Sequence, residues 1–118
     1  MCLPRTYVNI NNLLQTDLPL HCKSKEDDLG AHVLPPHGSF GFNFRPNVGC
    51  STLYFCNFEW RGGSHWFDIY IEDRDANECR HCNWLIIEKG AFRLVEGKAR
   101  LIDECYEWKK SAPKFIII

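Results

Sequence analysis

Hydrophobic and polar positions alternate along most of this chain with a period of two, the pattern of half-buried strands. Val8 and Ile10 alternate with polar neighbours over residues 7–11, and Asn11-Asn12 suits a turn. Leu18, Leu20 and Cys22 share one face of a second segment, where Pro19 points to an edge position. Residues 23–30 (KSKEDDLG) are polar, charged and end in glycine, so a loop is expected there. Residues 31–34 follow as a short strand stopped by Pro35-Pro36. Over 39–45, Phe40, Phe42 and Phe44 lie opposite Gly41, Asn43 and Arg45, and residues 46–49 turn the chain. Residues 52–60 place Tyr54, Cys56, Phe58 and Trp60 on one face, and Gly62-Gly63 signals a hairpin. The next segment, 65–71, sets Phe67, Ile69 and Ile71 against Trp66, Asp68 and Tyr70. A second charged loop is expected at 72–80. Strand character resumes over 82–88 through Trp84 and Ile86, and Lys89-Gly90 turns into residues 92–95. Residues 98–108 fit a strand by Ile102, Tyr106 and Trp108, or a helix by Leu101, Ile102, Cys105 and Trp108. The strand is preferred, because no earlier segment shows a helix of three turns.

Seven or eight short strands joined mostly by tight turns imply an all-β fold, a small antiparallel β-sandwich. With 118 residues the chain is read as one domain over 6–108, flanked by a loose terminus at 1–5 and a tail at 109–118. That tail ends in Phe115-Ile116-Ile117-Ile118, a terminal edge strand or a sticky end. Composition adds exclusions. A net charge of −1 argues against a dedicated nucleic-acid binder or a basic membrane-surface protein. No run of apolar residues is long enough for a transmembrane helix.

Seven cysteines change the picture more. An odd number leaves at least one thiol outside an intramolecular bridge, and Cys2, beside the start methionine, is the natural one. The other six, Cys22, Cys50, Cys56, Cys79, Cys82 and Cys105, are disulfide candidates with the pairing open. Residues 1–10 have neither the basic head nor the apolar stretch of a signal peptide. The chain is then either cytosolic with reduced thiols or a mature secreted chain carrying a new methionine. Cys79-Arg80-His81-Cys82 is the sharpest local pattern. A redox site needs a helix N-terminus at the first thiolate, and zinc needs a second ligand pair; neither is present in the pattern. Each cysteine is therefore expected to bridge to a different strand.

Catalysis finds no support. No nucleophile elbow or phosphate loop occurs, and His21 and Cys22, adjacent on a strand, point to opposite faces. The acidic runs Glu26-Asp27-Asp28 and Glu72-Asp73-Arg74-Asp75 lack calcium-loop spacing and are interleaved with Lys23, Lys25 and Arg74. No metal and no cofactor are expected. Sixteen aromatic residues exceed what one face needs, so some, with Trp66, Tyr70 or Trp60 as candidates, are expected to face outward.

Several segments in order resemble the plant self-incompatibility S-protein homologue family. They are His21-Cys22-Lys23-Ser24-Lys25-Glu26-Asp27-Asp28-Leu29-Gly30 with Val33-Leu34-Pro35, and residues 39–47 (SFGFNFRPN). Residues 52–58 (TLYFCNF), Phe67-Asp68-Ile69-Tyr70, Arg74-Asp75, Cys79 through Cys82-Asn83-Trp84, and Tyr106-Glu107-Trp108 continue the match. The resemblance implies a small secreted plant β-sandwich with intramolecular disulfides and no catalysis. Its best-known members, the poppy stigma S-proteins, are ligands that engage a pollen membrane protein. By the same resemblance Cys22, Cys56, Cys79, Cys82 and Cys105 occupy family positions, whereas Cys2 and Cys50 depart from the pattern.

The expectation is then a secreted recognition or signalling ligand that binds a cell-surface protein receptor through exposed loops. It binds no nucleic acid and spans no membrane. Glu72, Asp73, Arg74, Asp75 and Asn77 form the first candidate partner-binding loop, and residues 23–30 the second. A monomer is expected, with Cys2 and the apolar tail as routes to a dimer. The alternatives are a secreted carbohydrate- or wall-binding module and a defence-related secreted protein.

Overall fold

The computed structural model describes residues 5–46, 52–60, 63–76, 79–94 and 101–108; the side chains of Asp73 and of 101–107 are not described. The strands are β1 (Thr6–Asn12), β2 (Leu18–Ser24), β3 (Asp28–Leu34), β4 (Ser39–Phe44), β5 (Leu53–Trp60), β6 (Gly63–Ile71), β7 (His81–Ile87), β8 (Gly90–Leu94) and β9 (Leu101–Glu107). A single helical turn, α1 (Glu72–Asp75), precedes β7. One sheet runs β4-β1-β7-β8-β9, the other β3-β2-β5-β6. The expected all-β sandwich is what the chain forms. It has nine described strands, one more than the upper expectation, and one neighbouring pair, β1 with β7, is parallel. Residues 101–107 are strand, paired antiparallel with β8.

The period-two pattern explains the layers. Val8 and Ile10, Leu18, Leu20 and Cys22, Tyr54, Cys56, Phe58 and Trp60, and Cys82, Trp84 and Ile86 are all buried and fill the space between the sheets. Phe67 meets the Trp84 indole edge-on at 5.0 Å, and Phe44 meets Tyr70 the same way at 4.8 Å. Burying an aromatic side chain of this kind is worth about 2–3 kcal/mol each.

Alternation fails in one place. A bulge between Tyr54 and Phe55 pairs Tyr54 with Tyr70 but Phe55 with Asp68, which leaves Ile69 without an opposite residue. Facing therefore shifts from odd to even positions along β6, and Phe67, Asp68, Ile69 and Tyr70 are all buried. Tyr70 is thus inside, not outward. Trp60, expected as an outward candidate, is also inside; it stacks on His65 at 3.8 Å and meets Trp108 at 5.2 Å. Trp108 in turn donates its indole N–H to the Glu88 carbonyl.

Asn12 ties the sandwich end together. Fully buried, it donates its amide to the carbonyls of Thr16, Leu34 and Pro35 and accepts the Leu14 N–H. The expected 23–30 loop is shorter than its composition suggested. β2 runs to Ser24 and β3 begins at Asp28, so only residues 25–27 connect them.

Candidate functional site

Of the residues expected to carry recognition, Glu72, Arg74 and Asp75 are turned inward. Asp75 is fully buried and Glu72 nearly so. The Asp75 carboxylate accepts from Arg74 Nε and Nη2, each at 2.7 Å, and from the Ile71 N–H at 2.9 Å. Arg93, also buried, stands 3.7 Å from the same carboxylate. The Arg74 guanidinium donates to the Asp68 carbonyl and lies over the rings of Phe67 and Trp84. Glu72 accepts the Thr52 N–H and returns its own N–H to the Thr52 carbonyl. Glu72, Arg74 and Asp75 thus pair internally, which corrects the expectation that these three stand in an exposed charged loop. The reason is that two arginines compensate one desolvated carboxylate, and such a cluster folds inward although its sequence reads as solvated. Asn77 and Glu78 lie outside the described residues, as does the side chain of Asp73. Arg80 and His81 alone in this stretch are exposed among the residues whose side chains are described.

The cysteines divide in the same way. Cys22 and Cys56 are register partners on the inner faces of β2 and β5 and form one disulfide. Cys79 and Cys82 bridge one another, not different strands as expected, and close the entry into β7. Four buried sulfur atoms result, with Arg93 Nη1 donating to Cys79 Sγ at 3.5 Å. Cys2 and Cys50 lie outside the described residues, as does the side chain of Cys105. Among the described residues no group of three or more His, Cys, Asp or Glu could hold a metal ion.

The outer side of the four-stranded sheet and the β2–β3 hairpin are presented to solvent. The hairpin tip is exposed at Lys25, Glu26 and Asp27 but is well fixed. Ser24 Oγ accepts the N–H groups of Glu26 and Asp27, and the Tyr54 hydroxyl reaches from the core to Asp27. Asp28 pairs with His21 across the hairpin and accepts the Gly30 N–H. The Gly30 hydrogen bond, then His21, holds the Asp28 carboxyl below the usual carboxylate range. Burial, then the nearby Asp27 charge, pushes the Tyr54 phenol up. Gly30 sits at φ +83°, a conformation that glycine adopts without strain.

Below the hairpin, one row of side chains crosses all four strands: Ala31, His21, Asn57 and Trp66 are successive register partners. A neighbouring row holds Lys23 and Phe55, and on the other side lie Val33 with Pro19 and Glu59 with Ser64. Together they line a cavity of about 590 Å³ with Trp66 as one wall. Trp66 is legible in the sequence as outward; the groove beside it is not, because its lining is gathered from three other strands.

Among the described residues, nine strands in two sheets and two disulfides define a small disulfide-bridged β-sandwich that folds Glu72, Asp75 and Arg93 into its interior. The chain belongs to the plant self-incompatibility protein S1 family, whose model matches residues 7–108. It is 44% identical over 105 residues to S-protein homolog 5 of Arabidopsis thaliana, spanning 88% of this chain and 78% of that one. S-protein homolog 4 of the same plant is 43% identical over 115 residues, spanning 88% and 72%. A solved self-incompatibility protein homologue, described as one of a widespread family of small, highly stable, secreted plant proteins, superposes with a TM-score of 0.65. That structure is 14% identical, and the match covers 90% of this chain and 96% of the other.

Proposed function

We propose that this protein is a secreted, non-catalytic recognition ligand that binds a cell-surface partner protein through exposed loops. The observation that carries the reading is the contrast between the two charged segments. Glu72, Arg74 and Asp75 are consumed in internal pairing, whereas the 25–27 tip is exposed yet held in one conformation by Ser24, Tyr54 and the His21–Asp28 pair. An ordered, charged tip on a rigid scaffold recognises a partner with little loss of conformational freedom on binding. Family membership and the secreted description of the structural relative support an oxidising, extracellular setting, in which the two bridges persist.

The test is binding of fluorescently labelled protein to plant protoplasts. Saturable binding that unlabelled protein competes away, that mild proteolysis of the cells abolishes, and that the triple change Lys25→Ala, Glu26→Ala, Asp27→Ala weakens at least tenfold supports the reading. Non-saturable binding, or binding unchanged by the triple change, overturns it.

A further inference from the structure

We infer that the groove across the outer face of β3-β2-β5-β6 is a binding site for a neutral oligosaccharide. The inference does not depend on the ligand reading, because it concerns a different part of the surface and a different class of molecule.

Four features select that occupant. Trp66 stands half-buried at the groove wall against Phe55, with ring centroids 6.1 Å apart. An indole fixed in this way offers a flat apolar face to the C–H face of a pyranose ring. Beside it, on the register partner Asn57, the amide nitrogen is buried and has no hydrogen-bond partner among the described residues. A desolvated donor of this kind is costly to leave unmade, and turning the Asn57 side chain toward the groove it lines gives it a sugar hydroxyl or ring oxygen as acceptor. The remaining lining alternates apolar and polar groups. Val33, 60% exposed, and Pro19 lie on one side, with the Ser64 hydroxyl and the Glu59 carboxylate across from them. Finally, the lining carries one fixed charge of each sign, Lys23 and Glu59, so the groove selects neither an anion nor a cation.

An extended peptide added to the edge of β3 fits less well. Asn57 lies two strands and Trp66 three strands in from that edge, roughly 10 and 14 Å at ordinary strand spacing. A strand at that edge reaches neither group. One added at the opposite edge, on β6, lies beside Trp66 but leaves the Val33 and Pro19 wall uncovered. The cavity volume falls within the usual range for small-ligand sites, and its course across the strands suits a short run of pyranose rings.

The experiment is calorimetric titration of the full chain with cellohexaose, mannohexaose, laminarihexaose and a xyloglucan heptasaccharide, and separately with oligogalacturonate. Binding of at least one neutral sugar is expected, weakened at least tenfold by Trp66→Ala and several-fold by Asn57→Ala. Asn57→Ala keeps the test decisive if Trp66→Ala fails to fold, since the Asn57 amide nitrogen holds no described protein partner. Circular dichroism and the urea midpoint verify folding of each variant. No binding of any neutral sugar at millimolar concentration overturns the inference, as does equal binding by both folded variants or binding of oligogalacturonate alone. The protoplast assay reads a protease-sensitive partner and this titration reads isolated sugars, so each proposal fails or stands by itself.

Discussion

Removing the two described disulfides one at a time should separate their contributions by loop length. Cys22 and Cys56 are 34 residues apart in sequence, Cys79 and Cys82 only 3. If a bridge acts mainly by restricting the unfolded chain, its contribution grows with the logarithm of the loop it closes. The longer loop then contributes about 4 kcal/mol and the shorter about 2 kcal/mol. The variants are the pairs Cys22→Ala with Cys56→Ala, and Cys79→Ala with Cys82→Ala, so that no orphaned thiol remains at either bridge. Each pair deletes two buried sulfur atoms, so the packing loss is similar and the difference reports the loop term. For a domain of this length about 4 °C of melting temperature accompanies each kcal/mol, giving losses of roughly 15 and 8 °C. Urea unfolding followed by the summed fluorescence of the four tryptophans gives the free energies directly. Equal losses, or a larger loss for the Cys79–Cys82 pair, would refute the entropic account. The second outcome would place the role of that bridge in holding Arg93 and Asp75 in the folded state.

Three further outcomes follow from the packing. Asp75→Ala strands Arg74 and Arg93 in the interior and should destabilise by about 3–5 kcal/mol in urea unfolding; a cost under about 1 kcal/mol would show that the cluster is not desolvated. Gly30→Ala meets only His32 Nε2 at 3.8 Å, so its cost of about 1 kcal/mol comes from the positive φ alone, and an unchanged midpoint would contradict that conformation. Burial raises the phenols of Tyr54 and Tyr70 above their ordinary value near 10, so both are protonated in either state at neutral pH. Above about pH 10 the unfolded chain releases these protons first, and stability should fall as pH rises through the folded-state values. The Tyr54→Phe, Tyr70→Phe double variant should lose most of that alkaline decline; an unaltered profile would assign it elsewhere.

Much of the sandwich is legible in the sequence because period-two alternation is imposed by the strand itself. The inward sets on β1, β2, β4, β5 and β7 follow it, and the family resemblance rests on the same segments. Three features lie beyond that signal. The bulge at Ile69 reverses facing within β6, so Tyr70 reads as outward in sequence and is buried in space. The charged run at 72–75 has a surface composition, yet its partners, Thr52 and Arg93, are 20 and 18 residues away from Glu72 and Asp75. The adjacent Arg74 is visible in the sequence, but a neighbouring opposite charge is equally common on a solvated loop and does not announce burial. The same holds for Asn12, which looks like a turn residue and instead gathers three carbonyls from two other segments. The Cys79–Cys82 bridge is within sight, since the CxxC spacing permits it. The expectation of separate partners discounted the turn that precedes β7, where the Cys79 N–H bonds the Asp75 carbonyl.

Recognition of the kind proposed needs an oxidised scaffold rigid enough to hold its exposed groups in place. Alkylation of the native, non-reduced protein followed by peptide mass mapping tests this most directly. The predicted result is that Cys22, Cys56, Cys79 and Cys82 resist alkylation and appear as Cys22–Cys56 and Cys79–Cys82 linked peptides. Alkylation of any of these four, or linkage of Cys79 to a cysteine other than Cys82, would contradict it.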